Sequence, residues 1–236
     1  MNQHRRSFLI LAGALVAWAG IPPGAHADEK LKIGIIGSGN VGSAIGAVWV
    51  EAGHEVMFSS RDITHDEALA ARLGQGARAG TPREAAAFGE VVMVSVPYFA
   101  LPDVAETSGD LLEGKVVIDT NNPFPNRDGE IADWAREKGA GLATAELLPG
   151  ARLVRAFNAV GARRMGSAHE DPGVYGMPIA GDDAEAIETV SRLIRELGYE
   201  PVLVGGLEMG RYLVPGTPLA GERSAEEIRR IVAGLE

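Results

Sequence analysis

An apolar run, Leu31-Lys32-Ile33-Gly34-Ile35-Ile36, turns through Gly37-Ser38-Gly39-Asn40-Val41-Gly42 into a segment rich in Ala, Gly and Val. That order of strand, glycine turn and helix start suits a phosphate. One glycine permits the tight turn, the second lets backbone N–H groups approach a pyrophosphate, and the third lets the helix lie close on the strand. The helix beginning near Asn40 then points its unpaired N–H groups and positive dipole end at the anion. About 20 residues on, an NAD-selective site would place an acidic residue against the ribose 2′-hydroxyl. The chain carries Ser59-Ser60-Arg61 there instead. A guanidinium pairs with a 2′-phosphate through charge-assisted hydrogen bonds and the serines add hydroxyls, so the expected nucleotide is NADP(H).

These groups need a scaffold that alternates strands and helices, and the chain supplies one. His54 to Phe58, Val91 to Val96, Val116 to Asp119, Leu153 to Phe157, Val174 to Ala180 and Pro201 to Val204 read as strands. Thr81-Pro82-Arg83-Glu84 reads as a helix start, with a cap, a proline in the first turn and an early acid. Asp182 or Asp183 caps a further helix, whose Ile187, Val190, Leu193, Ile194 and Leu197 keep the 3.6 period up to Gly198. The expected fold is α/β and Rossmann-type: a doubly wound, mainly parallel sheet with helices on both faces. Val96, Pro97 and Tyr98 follow a strand at the edge where such sheets bind ligands, and Asn158 follows another. Strand-end packing competes for the first three, and turn capping for Asn158.

The ends carry a different kind of information. Arg5-Arg6 precedes the apolar stretch Phe8 to Ala19, and Ala25-His26-Ala27 supplies a small-x-small cleavage site. Residues 1–27 therefore read as an export signal of twin-arginine type, a plain secretory signal being the alternative. Cleavage would leave 28–236 as one domain, exported to the periplasm, with 205–236 as a C-terminal extension. The apolar stretch is short for a bilayer span, so no stable membrane span is expected after cleavage. Loss of residues 1–27 removes two arginines and no acid, taking the formal net charge from −10 to −12. With no clustered Lys or Arg, nucleic acid is excluded as a partner. There are no cysteines, so disulfide and thiolate chemistry are excluded as well. His54, His65 and His169 lack metal-ligand or triad spacing, so neither a metal nor a catalytic side-chain set is expected.

Taken together, Gly37 to Gly42, Ser59-Ser60-Arg61, Val94-Ser95-Val96-Pro97-Tyr98, Val154-Arg155-Ala156-Phe157-Asn158, Ala180-Gly181-Asp182 and Val204-Gly205-Gly206-Leu207 resemble the NADPH-dependent deazaflavin (coenzyme F-420) reductase family. They are similar as well to the oxidoreductase domain of the six-transmembrane metalloreductases. The resemblance implies hydride transfer between nicotinamide and a flavin-like acceptor, F-420 or flavin, with metal reduction as a downstream use. It places Val96, Pro97 and Tyr98 along the nicotinamide ribose. The segment Gly205 to Glu236 is a candidate cover for the ring site or a homodimer contact. Two other functions compete. One is an exported NADPH-binding or sensor protein without turnover. The other is an imine or hydroxy-acid reductase of the pyrroline-carboxylate reductase type, for which the chain after Val204 is short.

Overall fold

A computed structural model describes residues 30–235. The expected export signal, residues 1–27, lies outside them. In chain order the elements are β1 Lys32–Ile36, α1 Asn40–Glu51, β2 Glu55–Ser59, α2 Ile63–Leu73, β3 Ala77–Ala79, α3 Pro82–Phe88, β4 Val91–Val94, α4 Leu101–Ser108 and β5 Val116–Asp119. Then come α5 Pro125–Asp128, α6 Glu130–Lys138, α7 Ala140–Leu147, β6 Arg152–Arg155, α8 Ala162–Met165, β7 Gly176–Gly181, α9 Ala184–Glu196, β8 Glu200–Gly205 and α10 Ala225–Val232. The strands form one sheet in the order β3-β2-β1-β4-β5-β6-β7-β8. All neighbouring pairs are parallel except β6 with β7, which run antiparallel through Val154 opposite Gly181 and Arg155 opposite Ala180.

The pleat sorts side chains to two cores. Ile33, Ile35, Met93, Ile118 and Val154 face α1 and α9, meeting Ile45, Trp49, Val190, Leu193 and Ile194. Val92, Val94, Val117 and Leu153 face the other way, onto Ala85, Leu101, Val104 and Ala143 of α3, α4 and α7. Strands buried on both faces explain why these runs are continuously apolar rather than alternating. The sheet is mainly parallel and its helices cover both faces, as expected from the sequence.

Local signals act where they were expected. Thr81 and Glu84 form a reciprocal capping box at α3, with Pro82 in the first turn. Of the two candidate caps before α9, Asp183 is the one used, its carboxylate accepting from the Ala186 N–H. Residues beyond Gly205 build onto the sheet: Leu213, Leu219 and Ile228 share a third core with Ala180, Val202 and Val204. A second capping box, Ser224 with Glu227, starts α10.

Candidate functional site

The sheet order reverses between β1 and β4, and the crevice outside their C-terminal ends is where an open α/β sheet binds its ligand. The turn after β1 enters that crevice. Gly37 has φ +106°, and a Cβ there would collide with the Ser95 carbonyl oxygen, so only glycine fits. The N–H groups of Gly37 and Ser38 donate to the Ser59 carbonyl at 2.8 and 3.0 Å, holding the turn against β2. Gly42 lets α1 start directly over the turn, since a Cβ there would meet the Gly37 oxygen. Gly39 differs from both. It caps α1 with φ −67°, and nothing in the protein lies within 4 Å of the Cβ it lacks. Its missing side chain leaves an open face beside the first N–H groups of α1, at Asn40 and Val41, as a pyrophosphate cradle requires.

Beside this turn lies a cavity of about 360 Å³ lined by Gly37, Gly39, Ser60, Arg61, Val96 and Pro97, and also by Phe99, Asp103 and Thr107. Arg61 is exposed at its edge, with no acid paired to it among the described residues. Apolar walls around one unneutralised guanidinium suit a nucleoside bearing a 2′-phosphate.

Three expected side chains are turned elsewhere. Ser59 is fully buried, and its hydroxyl donates to the Ile35 carbonyl at 2.7 Å, so its contribution to the crevice is structural. Ser38 is also buried, its hydroxyl donating to Asp66. Tyr98 is 0 % exposed, its hydroxyl 3.2 Å from Thr144 Oγ1, and burial pushes its pKa well up. The short 3₁₀ turn after Pro97 swings Tyr98 into the core and Phe99 to the cavity, so the aromatic at the crevice is Phe99.

Asp66 had no place in the sequence reading. Fully buried on α2, it accepts from both Ser38 and Ser60, the latter at 2.8 Å. Its only sequence signal is a second acid four residues after the α2 cap, Asp62, which puts both on one helix face. With its proton committed to Asp66, Ser60 has none left for a phosphate.

A second polar network supports the far wall. Asp119, at the end of β5, accepts from Arg155 at 2.6 Å and from the backbone N–H and side-chain amide of Asn121 at 2.8 and 2.7 Å. Asn121 Oδ1 in turn accepts from the Val96 N–H at 2.8 Å. Arg155 and Asp119 are both fully buried, so the pair is sealed from water. This chain of contacts fixes the position of Val96 from two strands away.

Asn158 follows Phe157, the one described non-glycine residue with positive φ, at 65°. The Phe157 ring packs edge-on to Trp49 with centroids 6.4 Å apart, and that burial holds a backbone conformation L-residues avoid. Thus turned, Asn158 donates its amide to the Asp119 and Asn121 carbonyls at 3.2 and 3.3 Å. Its Oδ1 is buried without a partner. Capping thus occupies one end of the side chain, and an unused acceptor remains at the other.

Of the histidines, His54 is buried, Nδ1 accepting from the Leu31 N–H at 3.0 Å and Nε2 lying 2.7 Å from Glu196, a packing role far from the crevice. His65 Nε2 lies 3.4 Å from the Ser38 carbonyl. Among the described residues no cluster of three or more His, Asp or Glu side chains could hold a metal ion, and no helix is long and apolar enough to cross a membrane.

The chain is similar to several known proteins. The chain is 31 % identical over 186 residues to the metalloreductase STEAP3 of Rattus norvegicus, covering 78 % of this chain but 36 % of that protein. It is 29 % identical over 205 residues to the F420-dependent NADP reductase of Methanothermobacter thermautotrophicus, covering 80 % and 87 % of the two chains. In structure it is similar to the hypothetical protein SMa0349 from Sinorhizobium meliloti, with a TM-score of 0.71, 26 % identity, and 83 % and 96 % of the chains covered. Fold and structural likeness define the class as Rossmann-type, and the named relatives of this chain are reductases. Residues 32–123, from β1 through the loop after β5, match the model of the family described as NADP oxidoreductase coenzyme F420-dependent. Over those residues the chain is similar to that family.

Proposed function

We propose that the protein passes hydride between NADP(H) and a flavin-like acceptor, coenzyme F-420 or a flavin, with metal reduction only downstream of that acceptor. The observation that carries the reading is the crevice itself: an open Gly39 face at the α1 N-terminus, an unpaired Arg61, and a wall at Val96 and Pro97. The names of two relatives, an F420-dependent NADP reductase and a metalloreductase, agree in pointing to a redox acceptor. Bound NADPH would supply the hydride from nicotinamide C4. The chain's own task is positional. It holds the phosphates at Gly39 to Val41 and Arg61, keeps Val96 in place through Asn121, Asp119 and Arg155, and shields the ring face from water. Asn158 Oδ1 is the unused acceptor closest in the chain to this network, and we assign it to a carboxamide or ribose donor of the nucleotide.

NADPH oxidation with FMN, F-420 and ferric chelates, run beside NADPH stereospecifically deuterated at C4, tests the reading. Turnover with a ring acceptor, and label appearing on reduced F-420, is the expected result. Tight NADPH binding with no acceptor reduced and no label moved would make it a binding or sensor protein instead. We further propose that the Arg5-Arg6 signal exports the protein to the periplasm, where such an acceptor would be met.

A further inference from the structure

Two arginines reach the start of α1 from opposite flanks of β1. Arg61 comes from the end of β2 and lines the crevice already described. Arg163 comes from α8, which follows β6, and lines a separate groove of about 460 Å³ with Asn40, Ser43, Ala44, Ala162 and Gly166. No acid lines that groove. Arg163 is exposed and has no side-chain partner among the described residues, whereas its neighbour Arg164 is tied to Glu222 at 3.2 Å and lies over the Tyr175 ring at 4.8 Å. In a chain of formal net charge −10, an arginine left unpaired in an acid-free groove is a cation kept for something outside the chain.

The segment that presents Arg163 is anchored. Met165 and Ala168 are buried in the core shared with α1, and Phe157 is packed on Trp49 at its base. Gly166 packs beside α1, where a Cβ would make an ordinary contact with the Ala44 methyl at 3.6 Å. Asn40 offers a side-chain amide at the same groove, while Ser43 has committed its hydroxyl proton to the Gly39 carbonyl at 2.7 Å. A guanidinium and an amide make a donor set for phosphate or carboxylate. The nucleotide's own anions are accounted for elsewhere, the pyrophosphate by the α1 N-terminus and the 2′-phosphate by Arg61. The groove therefore takes an anion from a second molecule.

We propose that Arg163 and this groove bind the phosphate on the side chain of the ring acceptor, so that the protein selects phosphorylated flavin-type acceptors over neutral ones. This rests on the flavin-like reading of the acceptor above. FMN and riboflavin share one ring and differ by that phosphate, so their comparison isolates the groove. In steady state the wild type should show a KM for FMN about tenfold below that for riboflavin, as one charge-assisted contact predicts. Arg163→Gln should bring that ratio close to one, Arg163→Lys should restore part of it, and the NADPH dissociation constant should move far less than the ratio.

A binding arm keeps the two proposals separable. Quenching of flavin fluorescence by the NADP⁺-bound protein measures FMN and riboflavin affinity without turnover. A preference for FMN that disappears in Arg163→Gln, with neither flavin nor F-420 reduced, would sustain the groove and defeat the hydride-transfer reading. Equal affinity for FMN and riboflavin in the wild type would overturn the groove. So would an Arg163→Gln variant that weakens NADPH and NADH alike while the flavin ratio stands, because Arg163 would then be a pyrophosphate ligand.

Discussion

The space around Gly39 makes a sharp residue-scale prediction, because the backbone there has an ordinary φ and no atom of the protein opposes a methyl group. Gly39→Ala should fold, losing only the difference between a glycine and a poorer helix cap, about 1 kcal/mol. It should nevertheless bind NADPH and NADH at least about tenfold more weakly, and by the same factor, because the methyl occupies the pyrophosphate's place. Calorimetric titration beside a melting curve checks both halves; full affinity in the folded variant would remove the turn from the phosphate site. Arg61→Ala should act differently, since it removes charge-assisted bonds to the 2′-phosphate worth about 1.5 to 3 kcal/mol. The NADPH-over-NADH preference should then narrow about ten- to hundredfold, whereas equal losses for both nucleotides would refute the role. The placing of Gly37, Gly39, Gly42 and Arg61 at one crevice was legible because it follows from residue type and spacing. Ser38, Ser59 and Tyr98 were expected at the nucleotide but are buried, since the strand pleat and the turns that follow decide which side chains face outward. Asp66 was invisible because its effect comes from burial against two serines 6 and 28 residues away.

At the scale of elements, α9 is fastened to the start of β6 by charge. Arg152 donates to Asp183 at 2.9 and 2.7 Å, and Asp183 also caps the helix. The hydrogen bonds from Arg152 and from the Ala186 N–H pull the Asp183 pKa down to about 2 from an ordinary 3.8. A carboxylate with a depressed folded pKa stabilises the fold above its unfolded value, and that contribution is lost as pH falls through the folded value. Asp183→Asn keeps a capping oxygen but loses the charge. Its melting temperature should sit below that of the wild type at pH 6, and the gap should close between about pH 4 and pH 2. A gap independent of pH would mean that the ion pair contributes nothing. The α9 period and the caps of α3 and α9 were readable because they are local. The antiparallel turn of β7 onto β6 was not, because strand direction depends on how residues 156–175 cross back over the sheet, and no short motif encodes that path.

Across the whole molecule, the first and last thirds of the chain are joined in the core. The Trp49 indole N–H donates to the Leu193 carbonyl at 3.1 Å, and His54 meets Glu196 at 2.7 Å, across sequence separations of 144 and 142 residues. If the signal is of the twin-arginine type, replacing both Arg5 and Arg6 with Lys should leave precursor in the cytoplasm although the charge is kept. Recovery of that variant from the periplasm would assign the general secretory route. The Trp49 contact also sets a clock on the ribosome. At about 5 to 20 residues per second, roughly 7 to 30 s separate the synthesis of Trp49 from that of Leu193. The rest of the nucleotide-binding half is made during that interval, yet until its end the largest buried side chain has neither its hydrogen-bond acceptor nor the α9 face that covers it. The nascent chain therefore offers a wide apolar surface to whatever chaperone is near until translation is almost complete.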